Sequence, residues 1–159
     1  MVAPPSAQCH YSSMALSVTE LSWLSKAVSL AHQASHTQWR VGALVVKSGR
    51  VLGSGTNRYR NHPSRVDRDG VSYHAEEVAL RRSGRVSGST IYVARVTRSG
   101  TIGLALPCPR CQQDLLESGV TTAIWTEPMG WGKAKISDLL GGKNGYRTRC
   151  NSQKHPLLN

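Results

Sequence analysis

Helical and strand periods alternate along the chain, and that alternation predicts a layered α/β sandwich. Three observations carry it. A 3.6-residue apolar stripe runs from about Thr19 to Gln33. Two β-rich runs, Trp39 to Lys47 and Arg50 to Thr56, flank a Ser48-Gly49 turn. Two further β-rich runs, Thr90 to Val96 and Val120 to Trp125, each follow a helical stretch.

Each element has its local reason. Ser17 or Thr19 predicts the cap of the first helix, with Glu20 in its first turn and Leu21, Leu24, Val28 and Ala31 on one face. Val41, Ala43 and Val45 alternate inside the first strand, and the short turn after it predicts a hairpin. A long polar stretch follows, Asn57 to Tyr73; loops of this length inside a compact domain are usually functional or disordered. Ser72 predicts the N-cap of a second helix over about 73–83, stopped by Gly84. Cys108 stands at the N-cap position of a third helix, because Pro109 suits the first helical position, where a missing N–H costs least. Gly119 ends it. Met129 to Lys135 reads as a glycine-rich loop and Ile136 to Leu140 as one or two helical turns. The domain is therefore expected over 17–140, between a flexible N-terminal segment (1–16) and a partly ordered basic tail (141–159).

The chain has 159 residues, enough for one domain with a real core. It has no Phe, so aliphatic side chains must build most of that core. No run of 18 apolar residues is present, which excludes a membrane-spanning helix, and no secretory leader is legible. A cytoplasmic location is the expectation, and there a Cys-x-x-Cys is more often metal-binding or catalytic than disulfide-forming. Net charge is +11. Positions 40–100 hold twelve Arg and Lys against four acids. A surface of that kind favours phosphate-bearing partners, although a solvated, solubilising face accounts for it equally well.

The chemistry lies in two short stretches, His74-Ala75-Glu76 and Pro107-Cys108-Pro109-Arg110-Cys111. One imidazole and two thiolates are zinc ligands, and a catalytic zinc keeps its fourth position for water. Cys108 and Cys111 are three apart, so on a first helical turn both sulfurs point the same way. Glu76, two residues past the histidine, is placed to take a proton from an activated water and pass it to a ring nitrogen and a departing amine. Glu77 points about 100° away around the helix and is not expected to share that task. A lone Cys-x-x-Cys would equally suit a structural zinc, a redox pair or two buried thiols. A structural site gives Glu76 no purpose, and a redox pair leaves the distant His-x-Glu unexplained. Cys9-His10 and Cys150 with His155 raise the weaker idea of a second metal site.

At these residues the chain resembles the cytidine deaminase-like superfamily, whose signature is H-x-E…P-C-x-x-C. The resemblance is nearest to the CMP/dCMP-type branch and its phage and bacterial relatives, then to the tRNA adenosine deaminases. It extends over Val41 to Val46, Gly53 to Asn57, His74 to Leu80, Ile91 to Val93, Pro107 to Cys111 and Leu115 to Val120, about Leu21 to Glu127 in all. It implies a three-layer α/β/α sandwich with a central mixed sheet of about five strands. It implies one Zn²⁺ per chain on His74, Cys108 and Cys111, with Glu76 as proton shuttle. It further implies that Asn57 contacts the sugar or base, and that backbone at Ala75 and near Leu106 and Pro107 reads the base. A homo-oligomer is in keeping with such relatives, although no interface is legible. The chain departs from the tRNA enzymes in having Leu106 where they carry Glu before the Pro-Cys. It departs from the nucleic-acid-editing cytosine deaminases in having Leu104-Ala105-Leu106 where they carry Ser-Trp-Ser. Residues 57–73 contain no cysteine, so the extra zinc loop of large deoxycytidylate deaminases is missing.

The expected reaction is conversion of cytosine to uracil with release of ammonia, first on a free (deoxy)cytidine nucleotide such as dCMP. Arg58, Arg60, Arg65 and Arg68 would then clamp its phosphate. The alternative is cytosine or adenine deamination in single-stranded DNA or RNA, with Tyr59, His62 and Trp131 stacking bases. A third reading, a catalytically silent nucleic-acid-binding domain, has no need of Glu76.

Overall fold

A computed structural model describes residues 15–36, 38–59 and 72–141. Cys9, His10, Arg60, His62, Arg65, Arg68, Cys150 and His155 lie outside these residues, as does nearly all of both expected terminal segments.

Helix α1 (Val18–His32) opens on a reciprocal cap: the Ser17 hydroxyl accepts from Glu20 N–H at 3.1 Å, and the Glu20 carboxylate accepts from Ser17 N–H at 3.0 Å. Strands β1 (Arg40–Lys47) and β2 (Arg50–Thr56) form the expected hairpin. Its turn places both Ser48 and Gly49 at positive φ, 49° and 72°, the handedness that matches strand twist. Strand β3 (Arg58–Tyr59) pairs with β4 (Ser72–Tyr73) across the polar stretch. Then follow α2 (Ala75–Arg82), β5 (Thr90–Val96), β6 (Ile102–Gly103), α3 (Pro109–Glu117), β7 (Thr122–Glu127), β8 (Gly130–Lys135) and α4 (Ile136–Gly141).

The main sheet has the order β2-β1-β5-β7-β8, with β6 paired to the end of β5. Its β5–β7 pair is parallel and joined through α3, while the other pairs are antiparallel, so the sheet is mixed. Strand parity sorts the core into two layers. Leu44, Val46, Tyr92, Ala94 and Ile124 face α1. Ala43, Val45, Ile91, Val93 and Trp125 face the other way, onto Ala75, Ala79, Leu115 and Ile136 from α2, α3 and α4. Each fully buried Val, Leu or Ile of these layers contributes roughly 1.5–3 kcal/mol. This is the three-layer α/β/α sandwich, and no helix of the described residues is long and apolar enough to cross a membrane.

Four expectations are corrected. The buried stripe of α1 is Leu24, Ala27 and Ala31; Leu21 is exposed and Val28 half-buried. The helix sits so close to β1 that a Cβ placed on Gly42 would lie 2.5 Å from Ala27 O and 2.6 Å from Ala31 N, which leaves no room for a side chain at that position. Ser72 is in β4 and does not cap α2; the N-cap is His74. The stretch 129–135 is largely the edge strand β8, not a loop. Leu16, expected in a frayed segment, is buried in the α1 layer.

Candidate metal centre and substrate cavity

Two helix starts build the site. His74 caps α2 and Cys108 caps α3, each in extended backbone and each without a side-chain capping bond, so imidazole and thiol are left free for another partner. Pro109 occupies the start of α3 as its fixed φ favours. Cys111, one turn on, is buried. His74 Nδ1 lies 3.5 Å from Cys108 Sγ and 3.3 Å from Cys111 Sγ. All three ligand atoms lie within 4.8 Å of one another.

This set fits zinc. Tetrahedral bonds of about 2.0–2.1 Å to nitrogen and about 2.3 Å to sulfur place those atoms about 3.6 Å apart. The electrostatics agree. A hydrogen bond from Cys111, with help from His74, holds the Cys108 thiol far below its ordinary range. The second proton of the pair stays on Cys111, pushed up by its bond to Cys108 and by burial. A divalent cation removes the cost of two adjacent buried thiolates. The hydrogen bond with Cys108 also raises His74.

Glu76, one position into α2, is 6% exposed, and burial pushes its carboxyl up to about 7. A carboxyl poised near neutrality both accepts and returns a proton readily. Glu77 faces elsewhere: it accepts from Arg81 at 2.7 Å and from Arg110 of α3 at 3.2 Å.

His74, Glu76 and Cys108 open into a cavity of about 290 Å³. Asn57, Ala75 and Leu106, for which the resemblance implies substrate contacts, are among the residues that line it. Asn57 is heavily engaged with the chain itself. Its Oδ1 accepts from Val41 N–H at 2.8 Å, and its Nδ2 donates to Trp39 O. Pro107 is fully buried behind the wall, its carbonyl accepting from Gln112 Nε2 at 2.7 Å. Arg58 lies over the Tyr73 ring, away from the cavity lining. Trp131 stands on edge strand β8 and does not line it either.

Among the lining residues that the sequence did not assign to the site are His36, Trp39 and Arg95. His36 stacks on Tyr59 at 4.4 Å between ring centroids, and its Nδ1 accepts from Gln38 and Trp39 N–H. Arg95 had a legible signal. It is in phase with Ile91 and Val93, a charge on the buried parity of a strand.

The family model described as "Cytidine and deoxycytidylate deaminase zinc-binding region" matches residues 17–127. The chain belongs to this family. It is accordingly a zinc-dependent hydrolytic deaminase, and His74, Cys108 and Cys111 are grouped so that they could hold a metal ion. No curated protein matches it significantly. Among solved structures, the deaminase is similar to dCMP deaminase from the cyanophage S-TIM5 in apo form, at TM-score 0.53 and 23% identity over 68% of this chain and 82% of that one. The same phage enzyme in complex with dCMP and dUMP matches at TM-score 0.52 and 23% identity, over 67% and 79%. Cytidine deaminase from Mycobacterium tuberculosis matches at TM-score 0.50 and 27% identity, over 77% and 93%.

Proposed function

We propose that this deaminase acts on a free deoxycytidine nucleotide, dCMP, converting it with water to dUMP and ammonia. The observation that carries this is the cavity: Glu76 and two of the metal ligands open into one small enclosure that also contains a cationic side chain, Arg95. A volume of this order sits at the lower end of small-molecule sites, roughly 300–1,000 Å³, and suits one nucleotide rather than a run of bases. The dCMP and dUMP complex of the cyanophage enzyme supports the same substrate.

His74, Cys108 and Cys111 would hold the zinc, which when bound acts as a Lewis acid that acidifies water. The remaining work belongs to the chain. Glu76 accepts the proton of the attacking water and delivers it to ring N3; it then takes the proton of the new C4 hydroxyl and hands it to the amine, so that the C4–N bond breaks to release ammonia as the C4 carbonyl forms. Ala75 and Leu106 present backbone to the base, and Asn57 holds the wall against which the sugar rests. The buried position of Glu76 keeps bulk water from competing for its proton.

A second reading has its own observation. Trp39, which lines the cavity, and Tyr59, stacked on the lining residue His36, are both exposed, and the chain carries a net charge of +11. Aromatic platforms beside a basic surface suit a single strand. Ammonia release from dCMP, deoxycytidine and a short cytosine-containing oligonucleotide separates the readings. dCMP is expected to be the best substrate. Absence of uracil product from it, with salt-sensitive turnover of the oligonucleotide, would establish the second reading instead.

A further inference from the structure

We propose that Arg95 recognises the phosphate of the substrate, an assignment that rests on the mononucleotide reading above. Arg95 is on β5 with its side chain on the cavity face, and its backbone is fixed on two sides. It pairs with Gly103 of β6, and its N–H donates to Thr126 Oγ1 at 3.1 Å. The stem of the side chain runs across Gly103: a Cβ there would lie 3.5 Å from Arg95 Cγ, Cδ and Nε. The guanidinium lies over Trp39, 3.8 Å from the ring centroid. Glycine on one strand and tryptophan before another thus hold a planar cation at the cavity wall.

That cation has no counterion among the described residues. Its Nε is buried without a hydrogen-bond partner. Partial burial of such a charge is costly unless it is paired, and the indole face offsets only part of the cost. The other residues at this wall, Asn57, Val41 and Leu104, bring no charge. A ligand in the cavity can supply that partner. A guanidinium fork takes a phosphate through two parallel N–H bonds, and it offers a neutral nucleoside no comparable contact.

The test uses the zinc-loaded full chain and the unreactive product pair dUMP and deoxyuridine, with binding measured by calorimetry. In Arg95→Gln the ratio of dUMP affinity to deoxyuridine affinity is expected to fall roughly 10- to 100-fold, the loss of one charge-assisted pair. Arg95→Lys keeps the charge and loses the fork, and an intermediate fall is expected. It also serves as the test should Arg95→Gln fail to fold, which its melting curve shows. Equal loss of both ligands, or no loss of dUMP in either variant, overturns the proposal. So does an Arg95-dependent loss confined to an oligonucleotide. If dUMP binding depends on Arg95 but dCMP yields no ammonia, the mononucleotide substrate fails and the phosphate contact stands.

Discussion

Glu77 ties together the two helices that carry the metal ligands. Its carboxylate, 12% exposed, accepts from Arg81 one turn along α2 and from Arg110, which stands between the two cysteines on α3. The neighbour of the proposed proton shuttle is thus a brace across the site. Both arginines are more than half exposed, so solvent screens the pairs. Glu77→Ala should lower stability by about 0.5–1 kcal/mol while retaining zinc. Chemical denaturation with metal analysis checks this, and loss of most of the bound zinc would show that the brace sets the ligand geometry itself.

Close approach of α1 to the sheet makes Gly42 a packing requirement. Any side chain there meets the α1 backbone at Ala27 and Ala31. Gly42→Val should destabilise by about 3 kcal/mol or more, a fall in Tm of roughly 6–12 °C. Gly84→Ala is the control, since a Cβ there meets nothing within 4 Å. Thermal melts of the two variants should separate clearly.

The sequence exposed what local chemistry dictates. Cys108 and Pro109 mark a helix start by themselves, and Ser48-Gly49 marks a hairpin. What stayed hidden depends on distant partners. Ser72 has the composition of a cap, but its pairing with Tyr59 holds it extended and moves the cap to His74. Gly132 reads as loop, yet its bare Cα leaves space for the ring of Trp125 on the neighbouring strand. Asn57 was legible as a site residue through resemblance, whereas its bonds to Trp39 and Val41 needed the folded hairpin.

Glu20 links α1 to the far edge of the sheet through Lys133, at 2.6 Å. Burial alone would raise its pKa, but the hydrogen bonds from Lys133 and Ser17 outweigh burial and hold it below 4.5. A carboxylate lowered in the folded state adds stability above its ordinary pKa and loses it as pH falls through the folded value. Glu20→Ala should therefore cost about 1–2 kcal/mol at pH 7 through cap and ion pair together. The difference from wild type should be flat down to about pH 5 and shrink below that. Urea titrations at several pH values measure it; a gap that widens on acidification would contradict the assignment.

Cys111→Ser tests the metal set directly. Zinc ligation by sulfur needs thiolate, and Cys111 is the most buried of the three ligands. Zinc content should fall well below one per chain, with a lower Tm that added chelator does not reduce further. In wild type, chelator should lower Tm, and zinc should be released progressively as pH falls, because protons compete for all three ligands. A metal-sensitive dye follows that release.

Asn57 offers the sharpest separation of holding a wall from touching a ligand. Its Oδ1 satisfies the Val41 N–H and its amide donates to Trp39 O, so it fixes the entry to β1 at the cavity mouth. Removing the side chain leaves a partly buried N–H and carbonyl unsatisfied. Asn57→Ala should cost about 2–3 kcal/mol and raise KM for nucleotide and nucleoside alike, because the displaced element is the wall and not a phosphate contact. Asn57→Asp keeps the acceptor for Val41 and loses the donor to Trp39, so it should recover part of the stability. A KM effect in Asn57→Ala with an unchanged melting curve would instead make Asn57 a direct ligand contact.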